Sequence, residues 1–375
     1  MKKVFILYRV IQDWRAPLFD KLADKLGHEN FRVLYGPDFA GSKVISSRKS
    51  FKFQAECLKS FKITFPGSYD TGYMPISYGL FFHLIKERPD VVLSEGASNL
   101  VNAIQGFVYC KLFRKRFVWW SLGELVQIRP SKKKRLFSPI VQFLERNSSA
   151  ILTYSSQGYR YYRKLGISSE NIFKAVNVVD TGGRMAQLSR VKMDNRADDD
   201  VLRIAYAGAI LKSKRLDILL EAVSMLVEKG RDNVRLNVIG DGRDRAHFES
   251  SVKENGLSGF VEFLGKRMDD FSETLIQNDV LVMPGLGGLA ISDAMVHGLA
   301  IISGHGDGCE KDLISDNGNG FFIEDMNPVN LALKLEFFMD NPIILGQFKE
   351  KSKEIILKEF SFDTYLGNVL KSIEG

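Results

Sequence analysis

Along this chain of 375 residues, short runs of β-branched and aromatic residues alternate with longer stretches whose apolar positions recur every three or four residues. The short runs predict strands at 4–8, 31–36, 90–95, 116–121 and 150–155, then at 202–208, 234–240, 261–265, 279–284 and 299–303. The clearest helical pattern spans about 213–229, where Leu216, Leu219, Leu220, Val223, Leu226 and Val227 share one face. Strand and helix alternate in both halves, which predicts an α/β protein of two doubly wound parallel sheets with right-handed crossovers. The polar stretch SRVKMDNRADDD (189–200) has no apolar period and marks the expected boundary. The expected domains are therefore 1–188 and 189–360, with a C-terminal helix over 361–375 packing back on the first.

Open parallel sheets bind ligands beyond the C-terminal ends of their strands. That rule selects the loops 206–215, 240–243, 265–267 and 284–289 in the second half, and 9–15, 94–99, 121–124 and 154–158 in the first. If the halves face each other, these loops line a single cleft.

Charge adds a second asymmetry. Residues 1–190 hold 31 Lys and Arg against 14 Asp and Glu, while residues 191–375 hold 21 against 31. A basic half and an acidic half imply different partners, anionic lipid or nucleic acid for the basic one. No helix-turn-helix, RNA-recognition or zinc-finger pattern accompanies the basic half, so nucleic acid is not expected. The apolar runs fall short of a membrane span, and the opening MKKVFILYRVIQDWR reads as a strand rather than a leader. Cys57, Cys110 and Cys309 lie far apart, which suits a reducing cytoplasm and argues against a disulfide framework or zinc site.

Candidate chemistry concentrates in the second half. AYAGAILKSKRLDILLEA (205–222) places Lys212, Lys214 and Arg215 where a helix begins. Cations there oppose the helix dipole unless an anion is bound between them and the N–H groups. A solvated charged turn is the bland alternative. VIGDGRDR (238–245) lacks the dinucleotide fingerprint, and a tight turn with Asp241 as helix cap explains it. In MPGLGGLAISDAMVHGLAIISG (283–304) a strand meets three glycines, then a helix with one acid, Asp293. Gly287 and Gly288 lead into that helix and can expose N–H groups to a phosphate, while Asp293 can accept a pair of ribose hydroxyls. The plain reading is a crowded strand–helix junction with a helix-start acid. Asp198–Asp200 lies in the polar linker and reads as a solvated run, and the histidines show no metal-ligand spacing. SKKKR (131–135) reads as a charged surface that can also meet phospholipid head groups. Arg15 in QDWRAPLF and Glu124 in WWSLGEL stand at strand-end loops.

Taken in order and spacing, these segments resemble the retaining GT-B-fold glycosyltransferases of family GT4, over nearly the whole chain and most strongly across 150–324. NVVD (177–180) resembles the family's hinge approach, and YAGAILKSKRLDILLEA its phosphate-binding turn, with Lys214 matching the lysine. VIGDGRDR and VEFLGKR match the next two strand ends, and DVLVMP…DAMVHGLAII matches the signature strand–helix–strand. The resemblance implies two Rossmann-like domains facing a central cleft, an acceptor-binding first domain and a nucleotide-sugar-binding second one. It implies that Lys214 and Arg215 stabilise the leaving diphosphate. Gly208, Ala209, Gly240, Arg267, Gly287, Gly288, Leu289 and Asp293 line the donor site with them, and Arg15 and Glu124 stand on the acceptor side. Of the two acids the signature carries eight positions apart, the second matches Asp293 and the first falls on Gly285. The usual arginine before the phosphate-binding lysine is Ala209, and the catalytic histidine of many members has no match in WWSLGEL.

No cofactor or metal is implied. The donor is a nucleotide-diphosphate sugar, UDP- more than GDP-linked, and the acceptor lipid-linked or an oligosaccharide in surface-polysaccharide or lipopolysaccharide synthesis. The expected location is cytoplasmic, peripheral on the anionic inner leaflet through the basic first domain. Two alternatives remain at this level, a sugar-nucleotide epimerase of the same fold and a non-catalytic nucleotide-sugar-binding partner subunit.

Overall fold

The computed structural model describes residues 1–375 apart from 40–45, 65–72, 124–131, 192–199, 268–269, 286, 305 and 307. It divides into two compact units, Met1–Ala175 with Asp363–Gly375, and Val176–Phe362.

In the first unit the strands are β1 (Val4–Tyr8), β2 (Phe31–Tyr35), β3 (Gln54–Cys57), β4 (Ser60–Thr64), β5 (Tyr73–Ser77), β6 (Val91–Glu95), β7 (Arg116–Trp120), β8 (Ala150–Thr153) and β9 (Ile172–Lys174). Seven of them form one parallel sheet in the order β3-β2-β1-β6-β7-β8-β9, and β4 and β5 form a separate antiparallel pair. Every residue of β1 is buried, as a central strand covered on both faces requires. Its helices are α1 (Ala16–Leu26), α2 (Leu80–Glu87), α3 (Leu100–Leu112), α4 (Lys132–Asn147) and α5 (Ser156–Lys164).

The second unit holds β10 (Leu202–Ala207), β11 (Val234–Ile239), β12 (Val261–Gly265), β13 (Val280–Met283), β14 (Ala300–Ser303) and β15 (Gly320–Phe322), parallel in the order β12-β11-β10-β13-β14-β15. Its helices are α6 (Thr181–Leu188), α7 (Leu216–Glu228), α8 (Arg245–Glu254), α9 (Phe271–Ile276), α10 (Leu289–Val296), α11 (Glu310–Leu313), α12 (Pro328–Asp340) and α13 (Pro342–Lys358). A last helix, α14 (Phe362–Glu374), lies with the first unit. Strand order reverses between β1 and β6 in one sheet and between β10 and β13 in the other, which fixes the two switch-point crevices.

The ten strands expected from apolar runs are present within a residue or two of their expected ends. The pattern did not announce β3, β4, β5, β9 and β15. QAEC of β3 is a partly exposed edge strand with no apolar alternation, and β9 and β15 are three residues long. The unit boundary also differs from the expected 188/189. It falls at Ala175/Val176 because Val179 and Arg184 bond to α10 (Ser292 Oγ at 3.2 Å, Asp293 Oδ1 at 2.6 Å), committing NVVD and α6 to the second unit. Asp198 and Asp199 of the linker, and Ser131 of SKKKR, lie outside the described residues. At the far end, α14 is fastened to the first unit by Arg116 Nε donating to the Ser372 carbonyl at 3.0 Å and Lys2 Nζ to that of Glu374 at 2.6 Å.

Candidate donor site at the second switch point

Two turns meet where the second sheet reverses. The first leaves β10 through Gly208 and Ala209, makes a single 3-10 turn at Lys212–Lys214, and enters α7 through Arg215, whose φ of 57° is left-handed. Gly240, at the end of β11, packs against it so closely that a Cβ there would stand 1.9 Å from the Gly208 carbonyl oxygen. With a φ of 144°, only glycine suits that position. The expected capping role of Asp241 is not what the structure shows. Asp241 accepts from its neighbour Gly242, and Asp244 is the N-cap residue of α8, its carboxylate instead holding the Lys212 N–H at 2.8 Å.

The second turn leaves β13 through Pro284 and Gly285. A Cβ on Gly285 would lie 2.9 Å from the Ser213 and Lys214 carbonyl oxygens, so the two turns touch backbone to backbone. This contact explains why no acid stands at 285: a carboxylate would face two carbonyl oxygens at clash distance. Gly288, with a φ of 58°, is the N-cap of α10 and offers no side chain to the first N–H groups of that helix. The glycine turn, α10's amino end and the Lys214 turn therefore adjoin one another. Backbone N–H groups and cations at such a place suit a diphosphate.

The cations differ in their engagement. Lys214 is half-buried at the contact, whereas Arg215 is exposed and pairs with Asp217 of its own helix at 3.1 Å. Arg267 pairs likewise with Asp270 at 2.9 Å. Such exposed pairs contribute at most about 1 kcal/mol, so an incoming anion can replace the carboxylates at little cost. The Ala209 carbonyl accepts from the Tyr206 hydroxyl at 3.0 Å, which fixes the start of the first turn.

Asp293 stands on α10 one turn beyond the glycines and is only 7% exposed. Its carboxylate is held by Arg184 of α6, Nε to Oδ1 at 2.6 Å and Nη2 donating to Oδ2 at 3.3 Å. Arg184 also donates to Gln187 at 2.9 Å and stacks over Phe271 at 5.4 Å. Burial raises the Asp293 pKa, against the pull of Arg184. His297, one turn further on, shares a hydrogen bond of 2.7 Å with the Asp293 carbonyl, and burial pushes its pKa down to about 4. Neither Arg184 nor Ser292 was singled out in the sequence. The available signal was Asp180, which caps α6 by accepting from Gly183 at 3.0 Å and so puts Arg184 on a defined helical face.

The two residues expected on the acceptor side fare differently. Glu124 lies outside the described residues. Arg15 is 2% exposed rather than presented at a loop. Its Nε donates to the Tyr8 hydroxyl at 3.1 Å and its Nη1 to the Tyr365 hydroxyl, with the guanidinium 4.3 Å from the Trp14 ring centre and 4.7 Å from that of Trp120. Arg15 thus ties α14 to the first sheet. Among the described residues no group of three or more His, Cys, Asp or Glu side chains is placed to hold a metal, and no helix is long and apolar enough to cross a membrane.

With this geometry in hand, residues 190–355 match the family model described as Glycosyl transferases group 1. Among proteins of similar sequence, the chain is 23% identical over 170 residues to the poly(ribitol-phosphate) alpha-N-acetylglucosaminyltransferase of Staphylococcus aureus (strain COL). That match covers 44% of this chain and 33% of the relative. It is 26% identical over 182 residues to the lipopolysaccharide core biosynthesis glycosyltransferase LpsE of Rhizobium meliloti (strain 1021), covering 48% and 51%. The chain thus spans between a third and about half the length of these two relatives. Among solved structures, Anabaena Alr3699/HepE in complex with UDP superposes with a TM-score of 0.74 at 14% identity over 99% of both chains. WaaG, a glycosyltransferase involved in lipopolysaccharide biosynthesis, gives 0.64 at 14% over 99% of both. These likenesses show the fold: two parallel α/β sheets of the GT-B kind.

Proposed function

We propose, for a chain whose residues 190–355 form a group 1 glycosyl transferase domain, that it moves a sugar from a nucleotide-diphosphate sugar to a lipid-linked or growing polysaccharide acceptor in cell-surface glycan synthesis. The observation that carries this reading is the backbone contact of Gly285 with Ser213 and Lys214, which sets a helix amino end beside a lysine-bearing turn at the switch point. Departure of the nucleoside diphosphate builds negative charge on the leaving oxygens. Fixed N–H dipoles and Lys214 stabilise that charge more in the transition state than in the ground state, with Arg215 and Arg267 turning from their carboxylates to assist. The ionised Asp293 accepts the ribose hydroxyls. Transfer proceeds with retention, by front-face attack, without a metal. UDP is favoured over GDP because a solved structure of like fold was determined with UDP and again with UDP-glucose. The surface-glycan setting is supported by the names of the relatives, and the basic first unit brings the protein to the anionic inner leaflet.

The test pairs a thermal-shift panel of UDP- and GDP-sugars with a transfer assay. A ligand at a hundred times its Kd adds about 2.7 kcal/mol of stability, so a true donor announces itself clearly. Lys214→Ala should lower turnover by a factor of about 100 or more while leaving the fold intact. Near-normal turnover in that variant removes Lys214 from the mechanism.

Gly285 favours one second reading, a subunit that binds a nucleotide sugar without transferring it, because carbonyl oxygens take the place of the family's first acid. Tight UDP-sugar binding with no transfer to any acceptor in a broad panel would establish it.

A further inference from the structure

Helices α2, α3 and α4 form one layer over the first sheet, with α3 in the middle. Each already has an apolar stripe turned inward. Leu80 and Leu84 of α2, Ala103, Phe107 and Cys110 of α3, and Leu144 of α4 are buried in the core, with Phe81, Ile85, Phe137 and Val141 packed against it. A surface helix with its core stripe satisfied carries polar residues on the remaining face. These three do not. Phe82 is 73% exposed, Leu112 is 66% and Phe143 is 58%, and Val108 and Ile140 are exposed beside them. Phe143 meets the α3 side chain Phe107 edge to face at 6.0 Å, which makes the α3 and α4 parts continuous.

The charges on this layer are of one sign. Lys86, Arg88, Lys111, Arg114 and Arg146 are exposed around the apolar residues. Lys111 holds its ammonium 5.3 Å from the Phe107 ring centre, a cation seated on the apolar floor. The acids nearby are taken. Glu145 is buried and accepts from the Tyr161 and Tyr162 hydroxyls at 3.1 and 3.2 Å, Asp90 pairs with Lys115 at 2.6 Å, and Glu87 pairs with Lys3 at 2.9 Å.

We infer that the outer face of α2, α3 and α4 is a monotopic docking surface for an anionic lipid bilayer. Exposed large apolar side chains ringed by cations fit acyl chains beneath phosphate head groups, with the helices lying in the interface plane. A second copy of the chain suits the face poorly, because two like faces would bring the same cations together. The inference locates the membrane part of the proposed function and rests on that part alone.

The experiment is flotation of the full chain with vesicles of phosphatidylglycerol or of phosphatidylcholine, beside light scattering without lipid. The wild type should float with the first and stay behind with the second, and added salt should weaken the binding. L112S/F143S should lose partitioning by about tenfold or more, because less apolar area enters the interface. Its thermal midpoint should not fall, since both side chains already face water. The inference is overturned if the wild type ignores phosphatidylglycerol vesicles or if the double variant floats as the wild type does. It is equally overturned if light scattering finds a dimer that L112S/F143S splits. UDP affinity measured without lipid is a separate readout, so a protein that floats but ignores UDP defeats the transferase reading and leaves this surface standing.

Discussion

Arg184 Nε lies 2.6 Å from Asp293 Oδ1, joining the first turn of α6 to the middle of α10. The carboxylate proposed to read the ribose is therefore oriented by a cation from the segment that opens the second unit. The two effects on Asp293 oppose each other, and burial wins, so its folded pKa is raised. A carboxyl raised on folding binds its proton more tightly in the folded chain. Stability then falls as pH rises from the ordinary aspartate range through the folded value. Arg184→Gln should raise that value further, steepen the fall and extend it to higher pH. The pair is partly exposed, so the cost at neutral pH should be on the order of 2 kcal/mol. Urea unfolding across pH checks this, and a profile parallel to the wild type would count against the role given to Arg184.

His297 gives the opposite slope. Its pKa is pushed down to about 4 by burial, with Arg184 and Lys353 adding to the effect against the hydrogen bond from Asp293. A histidine depressed on folding must be neutral in the folded chain. Its contribution is complete above about 6.5 and is lost as pH falls toward 4, amounting to on the order of 2–3 kcal/mol. His297→Gln should flatten the stability curve across that window while leaving stability near neutrality within about 1–2 kcal/mol of the wild type. Thermal midpoints from pH 7 down to 4 decide it.

Arg15 and Tyr365 separate a structural role from an acceptor role. Arg15 is enclosed by Tyr8, Trp14, Trp120, Tyr154 and Tyr365. Arg15→Met leaves hydroxyls of Tyr8 and Tyr365 without their donor and should cost about 2–3 kcal/mol, and Tyr365→Phe about 1 kcal/mol. Arg15→Lys should not rescue, because a point charge cannot reproduce the planar fork among rings. UDP affinity, which belongs to the other unit, should stay unchanged in all three. An Arg15→Met chain of full stability with a raised acceptor KM would return the residue to the acceptor site.

The core strands were legible because their apolar runs are long and both faces are buried, as in β1 and β13. The donor turns were legible because glycine, lysine and strand ends are local signals. Arg184 was not, since its meaning comes from a carboxylate 109 positions away. Arg15 misled for the same reason: nothing near QDWRAPLF announces that Tyr365 will arrive from the other end of the chain. The early boundary at Ala175/Val176 follows this logic as well. A polar linker marks where periodicity stops, whereas membership of a unit is decided by what a segment packs against.

Gly285 is where local pattern and packing diverge most. The sequence shows it as a missing acid, while the structure shows a backbone contact with Ser213 and Lys214 that any side chain would open. Gly285→Ala puts a methyl 2.9 Å from two carbonyl oxygens, below normal contact. The turns must then part, and overpacking of this kind costs about 1–3 kcal/mol. Because the same contact sets Lys214 beside the amino end of α10, UDP-sugar affinity should fall along with the thermal midpoint. Gly285→Glu, which restores the family's acid, should be worse than Gly285→Ala, since its carboxylate would meet the same oxygens. A Gly285→Glu chain that is stable and gains transfer would show that the gap was a simple loss and that the turns have room to spare.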